Sequence, residues 1–291
     1  MLFRSLDSVL RAAERLYLGL VPGLRGRPEI AGLCLRLSEA RWARGDAAGS
    51  LAALRTALAE RVAAGAAPRL VFALAERALA GVGPDSALPY ARWAAAGCGP
   101  EQRPAGLLLT ARVWRAGARA DSALATYERL IEEAPEDVDA LARARYERAR
   151  LLEDLGRWDQ ARGEYHALAS AVPTHRLALE AQIHLVRRHL ARGERDLGLA
   201  EAGHALQAME GLLAGQQDDS VQVRVGEARA LLLLEIGESR RGCGALAAML
   251  KRYPDAPLDP GLLARAGETA ADELKDTDLA IELCRAAAWR A

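Results

Sequence analysis

The chain has 291 residues, and its 39 basic side chains balance its 39 acidic ones, so the formal net charge at pH 7 is zero. A neutral chain has no overall attraction to nucleic acid or to an anionic membrane. Hydrophobic residues make up 51% of the chain but aromatic residues only 4%, because Ala and Leu supply most of the apolar side chains. This composition favours helices and leaves too few β-branched and aromatic residues for a sheet.

The stretch 1–20 predicts an amphipathic helix. Its apolar residues recur at spacings of three and four, as they do on one face of a helix. Charged residues are spread through the stretch and no A-x-A-like site follows it, so it does not resemble a signal peptide. We expect residues 1–30 to form an N-terminal capping helix. The apolar face of this helix comprises Leu2, Leu6, Val9, Leu10, Ala13, Leu16, Tyr17 and Leu20.

Four later segments share one pattern of small, aromatic or apolar residues, followed by Pro in the first three, and a shorter version of it occurs in "DSALPYARWAAAGCGP". Each segment is preceded by an apolar helical stretch such as "PAGLLLTARVWRAG" or "RVGEARALLLLEIG". The period of about 34 residues is that of a helix, a turn, a second helix and an exit. The aligned residues are Ala123, Tyr127, Leu130 and Pro135; Ala161, Tyr165, Leu168 and Pro173; Gly242, Leu246, Met249 and Pro254; and Ala280, Cys284 and Ala287.

The segment "LEDLGRWDQARGEYHALASAVP" shows why these residue types recur. Small residues in both helices let the two helices cross closely, and Tyr165 and Leu168 fill the space towards the next repeat. Gly156 is expected to end the first helix in the left-handed conformation. Pro173 is expected to end the second helix, because it cannot continue the hydrogen-bond ladder.

On these residues the chain resembles the tetratricopeptide repeat family over nearly its whole length. The resemblance implies an all-α fold, a right-handed α-solenoid of antiparallel helix pairs. We expect residues 31–291 to form this solenoid. Its seven units are expected to start near residues 31, 68, 104, 142, 179, 223 and 261.

Two places depart from the regular pattern. The fifth unit is degenerate, with Gly198 and Ala202 at the packing positions, and "AGQQDDS" at 214–220 lengthens the junction that follows it. At the other end, Leu279, Leu283 and Trp289 are expected to lie uncovered on the last helix. We therefore expect either that the chain is part of a longer protein or that this end contacts a partner or a second copy in a homodimer; the alternative is that a small exposed patch is tolerated.

No motif in the chain predicts catalysis, a metal site or a cofactor. There is no P-loop, H-E-x-x-H, G-x-S-x-G or C-x-x-C sequence. His184 and His189 are five residues apart, so they face different directions rather than forming an i, i+4 metal-binding pair. The cysteines are expected to be buried, unreactive thiols. They are Cys34, Cys98, Cys243 and Cys284.

The resemblance implies that the first helix of each unit lines a concave groove. Carried onto this chain, the groove positions give a stripe rich in arginine, which suits an acidic or C-terminal peptide segment. Alternatively, Arg143, Glu147 and Arg150 pair along their own helix. The chain contains no Asn, so the Lys and Asn clamp of some chaperone-tail-binding members is not expected. The expected groove residues are Phe72, Arg112, Arg115, Arg143, Tyr146, Arg150, His184 and Arg187.

The function predicted first is a non-catalytic scaffold that binds another protein or a peptide, without nucleic acid, a membrane span or a cofactor. One alternative is the sensor or interaction region of a larger regulator, such as a kinase or a transcription factor. Another is an envelope-assembly factor, suggested by the "KRYPDAPLDP" style of repeat. We expect a cytoplasmic location rather than a periplasmic one, because the four cysteines have no pairing pattern and no signal peptide is recognised.

Overall fold

The protein was analysed as a computed structural model, which describes residues 2–24, 27, 29–59, 67–215 and 218–291. Within these ranges the secondary structure consists of fifteen α-helices and two short 3-10 helices, so the predicted all-α fold is confirmed. The α-helices are α1 (Leu2–Leu20), α2 (Glu29–Ala43), α3 (Ala47–Ala59), α4 (Ala67–Gly81), α5 (Pro84–Gly97), α6 (Arg103–Ala116), α7 (Ala120–Glu133), α8 (Val138–Asp154), α9 (Trp158–Ala171), α10 (Arg176–Ala191), α11 (Arg195–Gly215), α12 (Asp219–Glu235), α13 (Ser239–Arg252), α14 (Pro260–Asp272) and α15 (Thr277–Arg290).

Consecutive helices pack as antiparallel pairs joined by short turns. The described pairs are α2 with α3, α4 with α5, α6 with α7, α10 with α11, α12 with α13, and α14 with α15. Helix α8 contains the boundary between two compact units, unit 1 (residues 1–151) and unit 2 (residues 152–291). Each unit has its own hydrophobic clusters, and each buries one aligned tyrosine completely, Tyr127 in unit 1 and Tyr165 in unit 2.

The turns within pairs rely on left-handed backbone conformations. Gly156, after α8, has φ +74°, as expected for a glycine that ends a helix. In the turn between α6 and α7 the left-handed residue is instead Ala118, with φ +55°. The glycine at 117 lies one residue too early to supply this conformation, so an alanine carries the strain.

Two expectations about exposed side chains need correction, those for Leu279 and Leu283. On α15, Leu283 is completely buried in the last cluster and Leu279 is partly buried, so of the three predicted residues only Trp289 is largely exposed, at 71%. On α1, Val9 and Leu16 are each 62% exposed, so its apolar face is only partly covered. These corrections have one cause, since each helix buries only the face that contacts its own neighbours.

Two of the four thiols differ from expectation, and the insertion is described only in part. Cys34 and Cys243 are buried, but Cys98 is half-buried and Cys284 is exposed. The predicted insertion 214–220 includes residues 216–217, which lie outside the described residues, as do the side chains of Leu2 and Leu6. After the insertion, Asp218 accepts hydrogen bonds from the backbone N–H groups of residues 220 and 221 and so begins α12.

Two helix backbones in unit 1 approach closely where α5 crosses α6. A Cβ atom added to Gly106 would lie 2.4 Å from the backbone nitrogen of Ala95 and 2.5 Å from the carbonyl carbon of Ala94. Backbone atoms cannot move aside as a flexible side chain can, so this crossing requires glycine.

Gly106→Ala is therefore expected to destabilise the protein by about 1–3 kcal/mol, because overpacking forces the two backbones apart. Gly163→Ala is the matched control, since Gly163 is helical and nothing lies within 4 Å of its added Cβ. This control should gain about 0.5–1 kcal/mol from helix propensity. Urea unfolding followed by circular dichroism measures both changes. Equal effects for the two variants would show that α5 and α6 do not cross as closely as described.

An ion-pair cluster links the start of α6 to the end of α7. Arg103 Nε and Arg129 Nε each donate to a different carboxylate oxygen of Glu133, both at 2.6 Å. The hydrogen bonds from Arg103 and then Arg129 lower the pKa of Glu133 to about 2, against an ordinary value of 4.5.

Because the pKa of Glu133 is lower in the folded state, its stabilising effect is present above about pH 4.5 and is lost as the pH falls towards about 2. Glu133→Gln should therefore show a shallower loss of stability over this interval than the wild type. Glu132→Gln, on the neighbouring exposed residue, should retain the wild-type slope. Urea unfolding at a series of pH values checks both variants, and identical slopes for wild type and Glu133→Gln would contradict the assignment.

Candidate functional site

Unit 1 contains an open cleft of about 610 Å³ between its first helices α4, α6 and α8. Residues at spacings of three and four share a helix face, so α6 presents Arg112 with Arg115, and α8 presents Tyr146 with Arg150. Four of the eight predicted groove residues therefore lie together. The lining consists of Leu79, Arg112, Arg115, Ala116, Tyr146, Glu147 and Arg150.

The carboxylate of Glu147 is held from beneath the cleft by a buried tyrosine. The hydroxyl of Tyr127, on the second helix α7, donates to Glu147 Oε2 at 2.8 Å. The other oxygen, Oε1, lies 3.8 Å from Nε of Arg112. Burial raises the pKa of the Tyr127 hydroxyl, and the neighbouring Glu147 raises it further. Tyr127 consequently remains a neutral donor throughout the physiological range.

The cleft lining carries three guanidinium groups and one carboxylate. Its formal charge is therefore positive although the chain as a whole is neutral. Arg112 is half exposed, with 54% of its side chain accessible. Guanidinium groups bind carboxylates through paired N–H donors, and Tyr146 and Leu79 add apolar surface beside them. Chemically, the arrangement is suited to binding an anionic group attached to a chain with some apolar character.

Two predicted groove residues of unit 1 lie outside this cleft. Phe72, on α4, is partly buried and packs against the hydrophobic cluster of unit 1. Arg143, on α8, places Nε 2.8 Å from Asp139 Oδ2, one turn earlier on the same helix. Arg143 therefore does pair along its own helix, as the alternative interpretation predicted. Its partner is Asp139 and not the predicted Glu147.

In unit 2 the two predicted residues are paired with carboxylates of their own unit. His184 Nε2 lies 2.8 Å from Glu153 Oε2, an oxygen that also accepts from the hydroxyl of Tyr165 at 3.2 Å. Arg187 donates to Glu235 Oε1 at 2.9 Å. These contacts neutralise the local charge of the predicted stripe within unit 2.

Glu235 is shared between two guanidinium groups. Arg265, on α14, donates to the same oxygen at 2.5 Å as does Arg187, on α10. Burial opposes ionisation of Glu235, but the hydrogen bonds from Arg187 and Arg265 outweigh it and hold its pKa below the ordinary value. The shared carboxylate thus links three first helices of unit 2, because it lies on α12.

Sequence reasoning missed Glu153 and Glu235. Both precede the glycine that follows a first helix. Glu235 has no basic residue three or four positions away, and the arginines at that spacing from Glu153, Arg150 and Arg157, do not indicate its contact with His184. Their partners lie 31 and 48 residues away along the chain, at His184 and Arg187. Only the packing of successive repeats brings these groups together.

The described residues contain neither a metal-binding cluster nor a membrane-spanning helix. No cluster of three or more His, Cys, Asp or Glu side chains within the described ranges is placed to hold a metal ion. None of the helices that the structure describes combines the length and the apolar character needed to cross a membrane.

The chain matches the family model described as tetratricopeptide repeat over residues 105–137, which contain most of α6 and all of α7. No curated protein sequence matches the chain significantly.

Several solved structures align with the chain at low sequence identity. The apo form of RapI aligns with 13% identity and a TM-score of 0.50 over 89% of this chain and 75% of that chain. A tetratricopeptide repeat protein from Parabacteroides merdae has 17% identity and a TM-score of 0.46 over 90% of this chain and 94% of that chain. A thermophilic TPR protein from Thermus thermophilus has 21% identity and a TM-score of 0.40 over 65% of this chain and 91% of that chain.

Tyr127→Phe is expected to destabilise the protein by about 1 kcal/mol, because it removes the hydroxyl that donates to Glu147. Tyr165→Phe is the matched control and should cost less. In the Tyr165→Phe variant, Glu153 would still contact His184 Nε2, and its other oxygen lies 3.3 Å from Nε of Arg188. Thermal unfolding of both variants measures the difference, and an equal or larger loss for Tyr165→Phe would contradict this reading of the Tyr127 contact.

Proposed function

We propose that this chain, which matches a tetratricopeptide repeat model over residues 105–137, is a non-catalytic scaffold whose unit 1 cleft binds an acidic segment of a protein partner. The observation that carries the proposal is the group of Arg112, Arg115 and Arg150 around Tyr146 on facing first helices. Helical repeats of this kind are widely used to bind proteins and peptides through surfaces built from successive units.

The lining favours a carboxylate-bearing peptide over a neutral or a basic one. Arg112 and Arg150 come from different helices, so a ligand carboxylate between them would contact both α6 and α8. Tyr146 provides a rigid aromatic surface with a polar tip, which is typical of residues that dominate binding energy at interfaces. Leu79 adds an apolar contact on the α4 side. The proposed ligand therefore combines acidic residues with at least one apolar side chain.

Of the eight predicted groove residues, four belong to the proposed binding site: Arg112, Arg115, Tyr146 and Arg150. Phe72, Arg143, His184 and Arg187 lie outside this cleft, and the last three contact carboxylates of their own unit. In unit 2, an acidic ligand at Arg187 would have to replace Glu235, which is also bonded to Arg265. Replacing a carboxylate that two arginines already hold offers a ligand little gain.

The test uses two fluorescein-labelled peptides, Gly-Glu-Glu-Leu-Glu-Glu-Gly and its counterpart with every Glu changed to Lys. Fluorescence anisotropy should show binding of the acidic peptide to the wild type, weakened by added salt, and none of the basic peptide. Arg112→Ala and Arg150→Ala should each lower the affinity roughly fivefold, the effect of about 1 kcal/mol per partly exposed charged contact.

Arg129→Ala is the matched control for Arg112→Ala. The two arginine side chains are equally exposed, at 56% and 54%, but Arg129 is paired with Glu133 and does not line this cleft. The control should bind as the wild type does, and circular dichroism should show unchanged helix content in every variant. Equal losses for Arg129→Ala and Arg112→Ala would reduce the interaction to non-specific charge attraction. Unchanged binding by Arg112→Ala and Arg150→Ala would remove the cleft from the proposal.

A further inference from the structure

Unit 2 contains a cleft of about 390 Å³ on the side formed by its second helices. The second helices α9 and α11 form its walls, and the first helix α10 forms its floor. This location distinguishes it from the cleft of unit 1 that Arg112, Arg115 and Arg150 line, which lies between first helices and is called the arginine cleft below. The amine cleft, as we call it below, is lined by His166, Ala169, Ser170, Pro173, Gln182, Leu185, Glu201, His204, Ala205, Ala208 and Leu212.

The floor of the amine cleft carries a buried polar group without a partner. Gln182, on α10, is only 9% exposed, and its Oε1 atom has no hydrogen-bond partner among the described residues. A buried acceptor left unpaired destabilises a fold, so such atoms are rare in native proteins. Gln182 lines the cleft, so a turn of its amide towards the cleft would let a ligand supply the missing partner.

The cleft exists because the fifth repeat has small residues where other repeats have large ones. Counted from the small residue that begins each second helix, Ala202 stands in the place of Tyr165, and Ala205 in the place of Leu168. Leu168 is completely buried in α9, whereas Ala205 forms part of the cleft lining. The degenerate pattern of this repeat therefore removes side-chain volume at one place on the surface of unit 2.

The ionisable side chains of the amine cleft are one carboxylate and two imidazoles, whereas those of the arginine cleft are mainly guanidinium groups. Its described lining includes neither Arg nor Lys, in a chain that is rich in arginine. Its carboxylate is Glu201, whose side chain is only 18% exposed and whose Oε1 lies 3.2 Å from His166 Nε2. Ser170 donates its hydroxyl to the backbone carbonyl of residue 166, so its oxygen keeps lone pairs that can accept. The lining is thus rich in acceptors.

We propose that the amine cleft binds a cationic side chain of a protein partner, lysine or arginine, with Glu201 and Gln182 accepting its N–H groups. Ammonium and guanidinium groups are donors only, and they match a carboxylate beside an amide oxygen. The walls Ala169, Leu185 and Ala208 would contact the aliphatic part of the side chain, which long basic residues commonly bury while their charged end forms polar contacts.

The experiment is an NMR titration that follows the imidazole signals of the five histidines. The probes are acetyl-Gly-Lys-Gly-amide, its Arg, Gln and Glu counterparts, and n-butylamine. The Lys and Arg peptides should shift the signals of His166 and His204 with saturation. The signals of His175, His184 and His189, which do not line the cleft, should not move. Equal shifts with the Gln or Glu peptide, or no saturable shift with any peptide, would overturn the proposal.

Three variants separate a binding site from a packing feature. Glu201→Gln should lower the affinity for the Lys peptide roughly tenfold, and Ala205→Leu should abolish binding by filling the cleft. Gln182→Leu should lower the affinity while raising the midpoint of thermal unfolding, because it removes the unpaired acceptor. Glu180→Gln, on the exposed side of α10 and paired with Arg176, is the matched control and should bind as the wild type does.

Each remaining outcome also decides the proposal. Unchanged affinity in Glu201→Gln or in Gln182→Leu would overturn it, because those side chains would then not touch the ligand. Tighter binding of the Lys peptide than of n-butylamine supports a protein partner. Equal or tighter binding of n-butylamine would contradict a protein partner and assign the cleft to free amines. None of these outcomes depends on the arginine cleft, so the two proposals succeed or fail separately.

Discussion

The hydrogen bond from Tyr127 to Glu147 connects the interior of unit 1 to its candidate site. The aromatic ring of Tyr127 is completely buried and packs the aligned helices, while its hydroxyl fixes a carboxylate that lines the arginine cleft. One residue therefore serves both packing and positioning. Because a tyrosine hydroxyl is neutral, it orients Glu147 without adding to the positive charge of the cleft.

The contacts made by the acidic residues differ between the arginine cleft and unit 2. In the arginine cleft, the closest described donor to Glu147 is a tyrosine, and Arg112 is more distant at 3.8 Å. In unit 2, Glu235 accepts from two arginines at once. Arginine is abundant throughout the chain, so its presence on a helix face indicates little until the carboxylates nearby are known.

The repeat pattern predicted the helical fold because its signals are local. Gly156 adopts the left-handed conformation that its position required, and Tyr165 and Leu168 are buried. Signals that depend on neighbouring helices were less informative. Leu283 was expected to be exposed but is buried within its own cluster. The predicted groove was uniform along the chain, whereas Arg112 and Arg150 share a cleft and Arg187 is bonded to Glu235, 48 residues away in sequence.

We expect the buried hydroxyl of Tyr127 to control the charge available in the arginine cleft. The most direct measurement is the affinity of Tyr127→Phe for the acidic fluorescein-labelled peptide, since residue 127 does not itself line the cleft. Without its hydroxyl donor, Glu147 is free to turn towards Arg112 and compete with the ligand. We predict an affinity roughly fivefold below that of the wild type, equivalent to about 1 kcal/mol. An unchanged affinity in a variant of unchanged helix content would contradict the claim.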